Sequence, residues 1–107
     1  MPHYLFQAAY TPEAWATLSK KPQDRRAVIQ AAAEKLGGKL EGAWLTFGDY
    51  DVLCLCEMPD NASAAAFAIA ASAGGALKAS KTTPLLSFEE GVEAMKRAGK
   101  SGYRPPK

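Results

Sequence analysis

Residues 46–60 read TFGDYDVLCLCEMPD, a Gly-Asp-Tyr-Asp turn followed by a run, Val52 to Met58, in which Glu57 is the only charged residue. A short apolar run bounded by turn formers is a strand. The Gly48–Tyr50 turn leaves no room for a crossover, so the preceding strand, Lys39 to Phe47, is its antiparallel hairpin partner. Val52, Cys54, Cys56 and Met58 fall on one face, and Leu53 and Leu55 on the other. Strand two follows suit, with Ala43, Leu45 and Phe47 opposed by Leu40 and Trp44. A sheet covered by helices on one side should carry polar residues on the other. This one does not, so its second face needs a cover as well.

Working outward, His3 to Tyr10 alternates as a first strand, with Tyr4, Phe6, Ala8 and Tyr10 on one face and His3, Leu5, Gln7 and Ala9 on the other. Thr11-Pro12-Glu13 opens a helix whose buried side carries Trp15 and Leu18. Lys21-Pro22 breaks that helix, as a kink or as a short loop. A second helical segment runs from about Gln23 to Leu36 with Ile29, Ala32, Ala33 and Leu36 on one face, and Gly37-Gly38 stops it. Beyond the central stretch, Asp60 caps an alanine-rich helix with Phe67 and Ala71 at i, i+4, ended by Gly74-Gly75. Leu77 to Leu86 is a fourth strand, and Pro84 suits it to an edge. Ser87-Phe88-Glu89-Glu90 is a capping box for a last helix through Val92 and Met95 to Gly99. The order strand, helix, strand, strand, helix, strand is the split pattern of α+β, ferredoxin-like folds. It predicts a four-stranded antiparallel sheet in order 4-1-3-2, helices on one face and an extra C-terminal helix. Residues 1–99 form the expected single domain, and 100–107 a mobile tail.

The composition excludes several classes. A chain of 107 residues with 48% hydrophobic and 22% charged residues is an ordinary globular domain. Its net charge of +2 argues against a nucleic-acid partner. Basic residues gather at Lys20, Lys21, Arg25 and Arg26, and again at Lys96, Arg97, Lys100 and Arg104, but without the strand aromatics of an RNA-reading sheet. No signal peptide or membrane-length apolar run is apparent, which predicts a cytoplasmic protein with no membrane partner. Cys54 and Cys56 lie on the same face of one strand, a poor geometry for a disulfide, and are expected as buried thiols. With a single histidine, His3, no metal cluster can be read from the sequence.

The chemistry-bearing candidates are few. His3 could serve as a general base or haem ligand on strand one. Pro2 could act as an amine nucleophile only after removal of Met1, since covalent amine catalysis needs a free nitrogen, and that role is not expected. Asp49 and Asp51 could pair for acid–base work, although carboxylates around a turn more often satisfy backbone amides. Glu57, placed in an apolar strand, calls for a basic partner or a raised pKa if buried. No residue qualifies as catalytic on the sequence alone. The economical cover for the second sheet face is another copy of the chain, so homo-oligomerisation through that face is expected. The alternative is the C-terminal helix folding back over it.

The motifs YTPEAW (10–15), DRRAVIQAAAEKLGGKL (24–40), WLTFGDYDVLCLCEMPD (44–60) and LLSFEE (85–90) resemble those of GYD-domain proteins, over about residues 4–98. The resemblance implies the dimeric α/β-barrel group, ferredoxin-like folds that associate through their sheets. A similar Gly-x-Tyr-Asp hairpin occurs in the ligand-sensing domains of leucine-responsive regulators, which bind amino acids at subunit contacts. Residues and resemblance together predict a self-associating module that binds a small metabolite, with His3, Tyr4, Phe6, Trp44, Gly48, Tyr50, Asp51 and Glu57 as ligand-binding candidates and no cofactor identified. The alternative is a barrel enzyme of the cofactor-independent or haem-linked monooxygenase type, its pocket between sheet and helices near Tyr4, Phe6 and Trp44.

Overall fold

A computed structural model describes residues 1–107. Eight elements follow one another: β1 (His3–Tyr10), α1 (Pro12–Lys20), α2 (Arg26–Lys35), β2 (Lys39–Leu45), β3 (Val52–Glu57), α3 (Asn61–Ala73), β4 (Leu77–Leu85) and α4 (Phe88–Ala98). The four strands form one antiparallel sheet in the order β2-β3-β1-β4, so Pro84 does lie on an edge strand. This is the element and strand order of a ferredoxin-like fold with a helix appended.

Local signals set the boundaries. The Thr11 hydroxyl accepts from Ala14 N and the Asp60 carboxylate from Ser63 N, each capping its helix. Ser87 and Glu90 make both halves of the capping box that opens α4. At the end of α2, Gly38 N donates to Ala33 O and Gly37 N to Glu34 O, with Gly37 at φ +81°, a Schellman closure that favours glycine. The Lys21-Pro22 break is a loop. α2 begins at Arg26 rather than near Gln23, because the Asp24 carboxylate takes both Arg26 N and its guanidinium and holds residues 23–25 out of the helix.

The core lies between the sheet and helices α2 and α3. Tyr4 and Phe6 of β1, Cys54 and Cys56 of β3, and Met58 pack against Ala33 of α2 and Ala64 and Phe67 of α3. Phe6 meets Phe67 ring on ring at 4.7 Å. Burial pushes the Cys54 thiol up to about 11 and Cys56 up to about 12, so both are neutral thiols at ordinary pH.

Three expectations about faces change. Leu40 joins Ala43 on the helix side because a bulge between Leu40 and Gly42 switches the alternation of β2, while Trp44 stays on the opposite, open face. α1 buries none of its residues: Trp15 is 38% exposed and Leu18 half-buried, since the helix sits at the end of β1 rather than over the core. On α3, Ala71 is exposed, one turn beyond the buried Phe67. The hairpin strands are also shorter than expected. β2 stops at Leu45, where Thr46 N and Oγ1 bond to Asp51 O and Tyr50 O, and Phe47 is left 99% exposed.

The last helix does not fold back. α4 has no buried residue, and its apolar stripe stands open, with Phe88 93% and Met95 73% exposed. The radius of gyration is 17.1 Å, against roughly 13 Å for a compact chain of this length.

Candidate functional site

Three places on the molecule gather side chains with chemical potential: the 46–51 turn, the cleft beside it, and a corner of the open sheet face.

In the turn, Gly48 adopts φ +123°, a conformation that side chains penalise. The Asp51 carboxylate accepts from Tyr10 N at 2.8 Å and from the Trp15 indole Nε1 at 3.2 Å. Its backbone N donates to Ala8 O at 2.8 Å. One residue thus ties the hairpin to the end of β1 and to α1. The Trp15 ring closes the assembly edge-on against Tyr10, centroids 5.2 Å apart. Asp49 is exposed and makes no such bonds, so no carboxylate pair forms across the turn.

Next to this anchor lies a cleft of about 750 Å3 between the α1–α2 loop and the hairpin end of the sheet. Its apolar wall includes Trp15, Leu18, Ile29 and Val52, and Tyr10 and Arg25 stand at its polar side. Burial raises the Tyr10 phenol above its ordinary range, and the positive charge of Arg25 offsets part of that rise. Arg25 reaches only the Gln23 amide oxygen, at 3.1 Å, and has no carboxylate partner. The neighbouring Arg26 is taken up by Asp24 at 2.6 Å, as Arg97 is by Glu93, which thins the basic surface read from the sequence.

On the open face, His3 and Glu57 stand opposite each other across β1 and β3. His3 Nε2 lies 3.7 Å from Glu57 Oε1 and 2.7 Å from Glu41 Oε1. Glu57 is therefore half-buried with a basic partner. Glu41 escaped the sequence reading, which had no way to place a bulge at that position. The one signal was Gly42, since a glycine inside a strand often marks a bulge.

The ligand-binding candidates thus divide. His3 and Glu57 meet, whereas Tyr4 and Phe6 are core residues with no opening to a pocket. The Tyr4 hydroxyl is spent on the Asn61 side chain at the start of α3. Trp44 is separated from both by the sheet: it lines the rim of the cleft, and its ring lies over Gly42 on the open face. Gly48 and Asp51 are occupied in building the turn, and Tyr50 contributes its carbonyl to Thr46.

Comparisons with known proteins agree with this frame. No curated protein matches the sequence. Among solved structures, the crystal structure of MtbAldR superposes with a TM-score of 0.59 at 15% identity, over 80% of this chain and 53% of that one. The chain therefore spans about half the length of that protein, and the likeness is one of fold. The GYD domain family matches residues 4–95, which takes in all of the sheet but its first residue, His3, together with the anchored turn and most of α4. The chain belongs to the GYD-domain family.

Proposed function

We propose that the domain is a non-catalytic, self-associating module that binds a small carboxylate ligand in the cleft beside Trp44, with the open face of its sheet covered by a second copy. The observation that carries this reading is the open face itself. Leu5, Leu53 and Leu55 lie there half-buried, flanked by Trp44 at 57% and Leu85 at 37% exposure, and no helix of the chain covers them. Full burial of one such side chain is worth about 1.5–3 kcal/mol, and the leucines have already realised much of theirs. The face alone thus offers roughly 5–8 kcal/mol, which only matches an association cost of about 4–15 kcal/mol. The Phe88–Val92–Met95 stripe of α4 supplies the balance, since a helix directed away from its own sheet is free to reach the partner.

Support for a ligand comes from the cleft. Its volume falls within the range of about 300–1,000 Å3 usual for small-molecule sites. Apolar walls with one unpaired guanidinium suit an amphipathic carboxylate. Trp44 belongs to both the cleft rim and the open face, which would set the ligand beside the partner. The resemblance to ligand-sensing domains that bind amino acids at subunit contacts points the same way.

Light scattering at micromolar concentration should give a multiple of the 11.4 kDa chain mass. A monomer would overturn the assembly half of the proposal. A thermal-shift panel of amino acids and aromatic or branched carboxylates tests the other half. A raised melting temperature that Arg25→Ala abolishes supports it, and a flat panel overturns it.

A further inference from the structure

The corner of the open face where His3, Glu41 and Glu57 converge has no part in the anchored turn or the cleft. The geometry points to a divalent-cation site there, selective for Zn2+-like ions, with His3 Nε2 and one carboxylate oxygen from each glutamate as its three protein ligands.

The three ligand atoms all lie within 4.8 Å of one another. Zn2+ binds imidazole nitrogen and carboxylate oxygen at about 2.0–2.2 Å, so ligands sharing a tetrahedral ion stand roughly 3.4 Å apart. The separations from His3 Nε2, 2.7 and 3.7 Å, bracket that value, and small side-chain rotations would close the difference. The backbone fixes the arrangement. His3 and Glu57 are cross-strand partners, and Glu41 occupies the bulge of β2 that has no partner on β3. Three adjacent strands, β2, β3 and β1, thus each supply one ligand, and a sheet is a firmer base for a site than a loop.

Charge favours a cation over a plain ion pair. Two carboxylates facing one imidazole leave net negative charge even when that imidazole is protonated. Lys39, opposite Glu57 in the register, makes no ion pair with it. A divalent ion removes the repulsion between the glutamates and leaves a coordination position open to water. One imidazole with two carboxylates suits Zn2+ better than Mg2+, which keeps most of its water shell and prefers oxygen alone. The site does not depend on self-association or on the cleft.

The test is calorimetric titration of tag-free, chelator-treated protein with Zn2+, with Mg2+ as the control ion. One Zn2+ per chain is expected, weakened at least about a hundredfold in His3→Ala, a ligand loss being no milder than the strongest outer-shell effects. Glu41→Gln should lose most of the binding while keeping the wild-type circular dichroism spectrum, which separates loss of a ligand from loss of the fold. Cys54→Ser/Cys56→Ser should bind as the wild type does, and Co2+ should show a visible spectrum without a thiolate charge-transfer band. Absence of Zn2+ binding overturns the inference. So does binding that survives His3→Ala, or that disappears with the two thiols.

Discussion

Replacing Asp51 with alanine tests whether the turn is built for stability. The substitution leaves Tyr10 N without its acceptor at 2.8 Å and the Trp15 indole without its acceptor at 3.2 Å. Hydrogen bonds to a charged group contribute about 1.5–3 kcal/mol, and less where water can replace the partner. The Tyr10 bond is partly buried and the Trp15 bond exposed, so the first takes the full lower figure and the second a fraction of it. The expected loss is about 2–3 kcal/mol, which for a domain near this size lowers the melting temperature by about 10–15 °C. Asp51→Asn keeps an acceptor oxygen without the charge and should cost about 1 kcal/mol. Trp15→Phe removes the indole donor alone and should couple to Asp51→Ala in a double-mutant cycle, by about 0.5 kcal/mol. Urea unfolding followed by tryptophan fluorescence supplies the numbers, at one fixed protein concentration so that assembly does not shift the midpoints. Asp49→Ala is the control, because Asp49 is exposed and makes no bond in the turn. The reasoning fails if Asp51→Ala lies within about 0.5 kcal/mol of the wild type, as unremarkable surface changes do, or if Asp49→Ala costs as much.

Gly48→Ala places a side chain at φ +123° and should destabilise the fold by about 1–2 kcal/mol with the cleft intact, read by the same urea titration. Leu55→Glu puts a charge opposite Leu5 in the middle of the open face. It should yield a folded monomer by light scattering and circular dichroism, while an oligomer of unchanged mass would place the contact elsewhere. Cys54 and Cys56 should resist alkylation at mildly alkaline pH until denaturant is added, with mass spectrometry counting the labelled thiols. Their folded pKa values, about 11 and about 12, lie above the ordinary value of 9.0, so above that value the unfolded chain releases protons the folded chain retains. Stability is then full below about pH 9 and falls as pH rises toward the folded values. A urea midpoint unchanged up to pH 11 would refute this.

What could be read ahead of the structure, and what could not, separates by the range of the physics involved. The bounds of β1, the Ser87–Glu90 box and the Asp60 cap are legible in the sequence, because each depends on side chains within a few positions of one another. The strand order followed from the element order once the Gly48–Tyr50 turn made β2 and β3 a hairpin. The bulge at Glu41 was not legible, since it depends on how β2 meets β3, and with it went the side of Leu40 and the third member of the His3 cluster. The exposure of Trp15 is hidden from the sequence for a related reason. Helical spacing marks an apolar side chain for burial but cannot show that a carboxylate 36 residues later will hold its indole at the surface.

The same contrast bears on the GYD motif. In the folded chain Gly48 supplies a positive φ, the Tyr50 carbonyl accepts from Thr46, and the Asp51 carboxylate is taken up by Tyr10 and Trp15. A residue whose hydrogen-bonding groups are already partnered pays for any ligand with the loss of those partners, so such a motif signals a scaffold more readily than a reaction centre. What the scaffold holds in place is its surroundings: the cleft on one side, with Arg25 unpaired, and Trp44 on the strand it turns back from. Chemistry specific to this chain is therefore to be sought in side chains the turn positions but does not use. Arg25 meets that description; the His3–Glu41–Glu57 corner stands at the opposite end of the sheet and owes nothing to the turn.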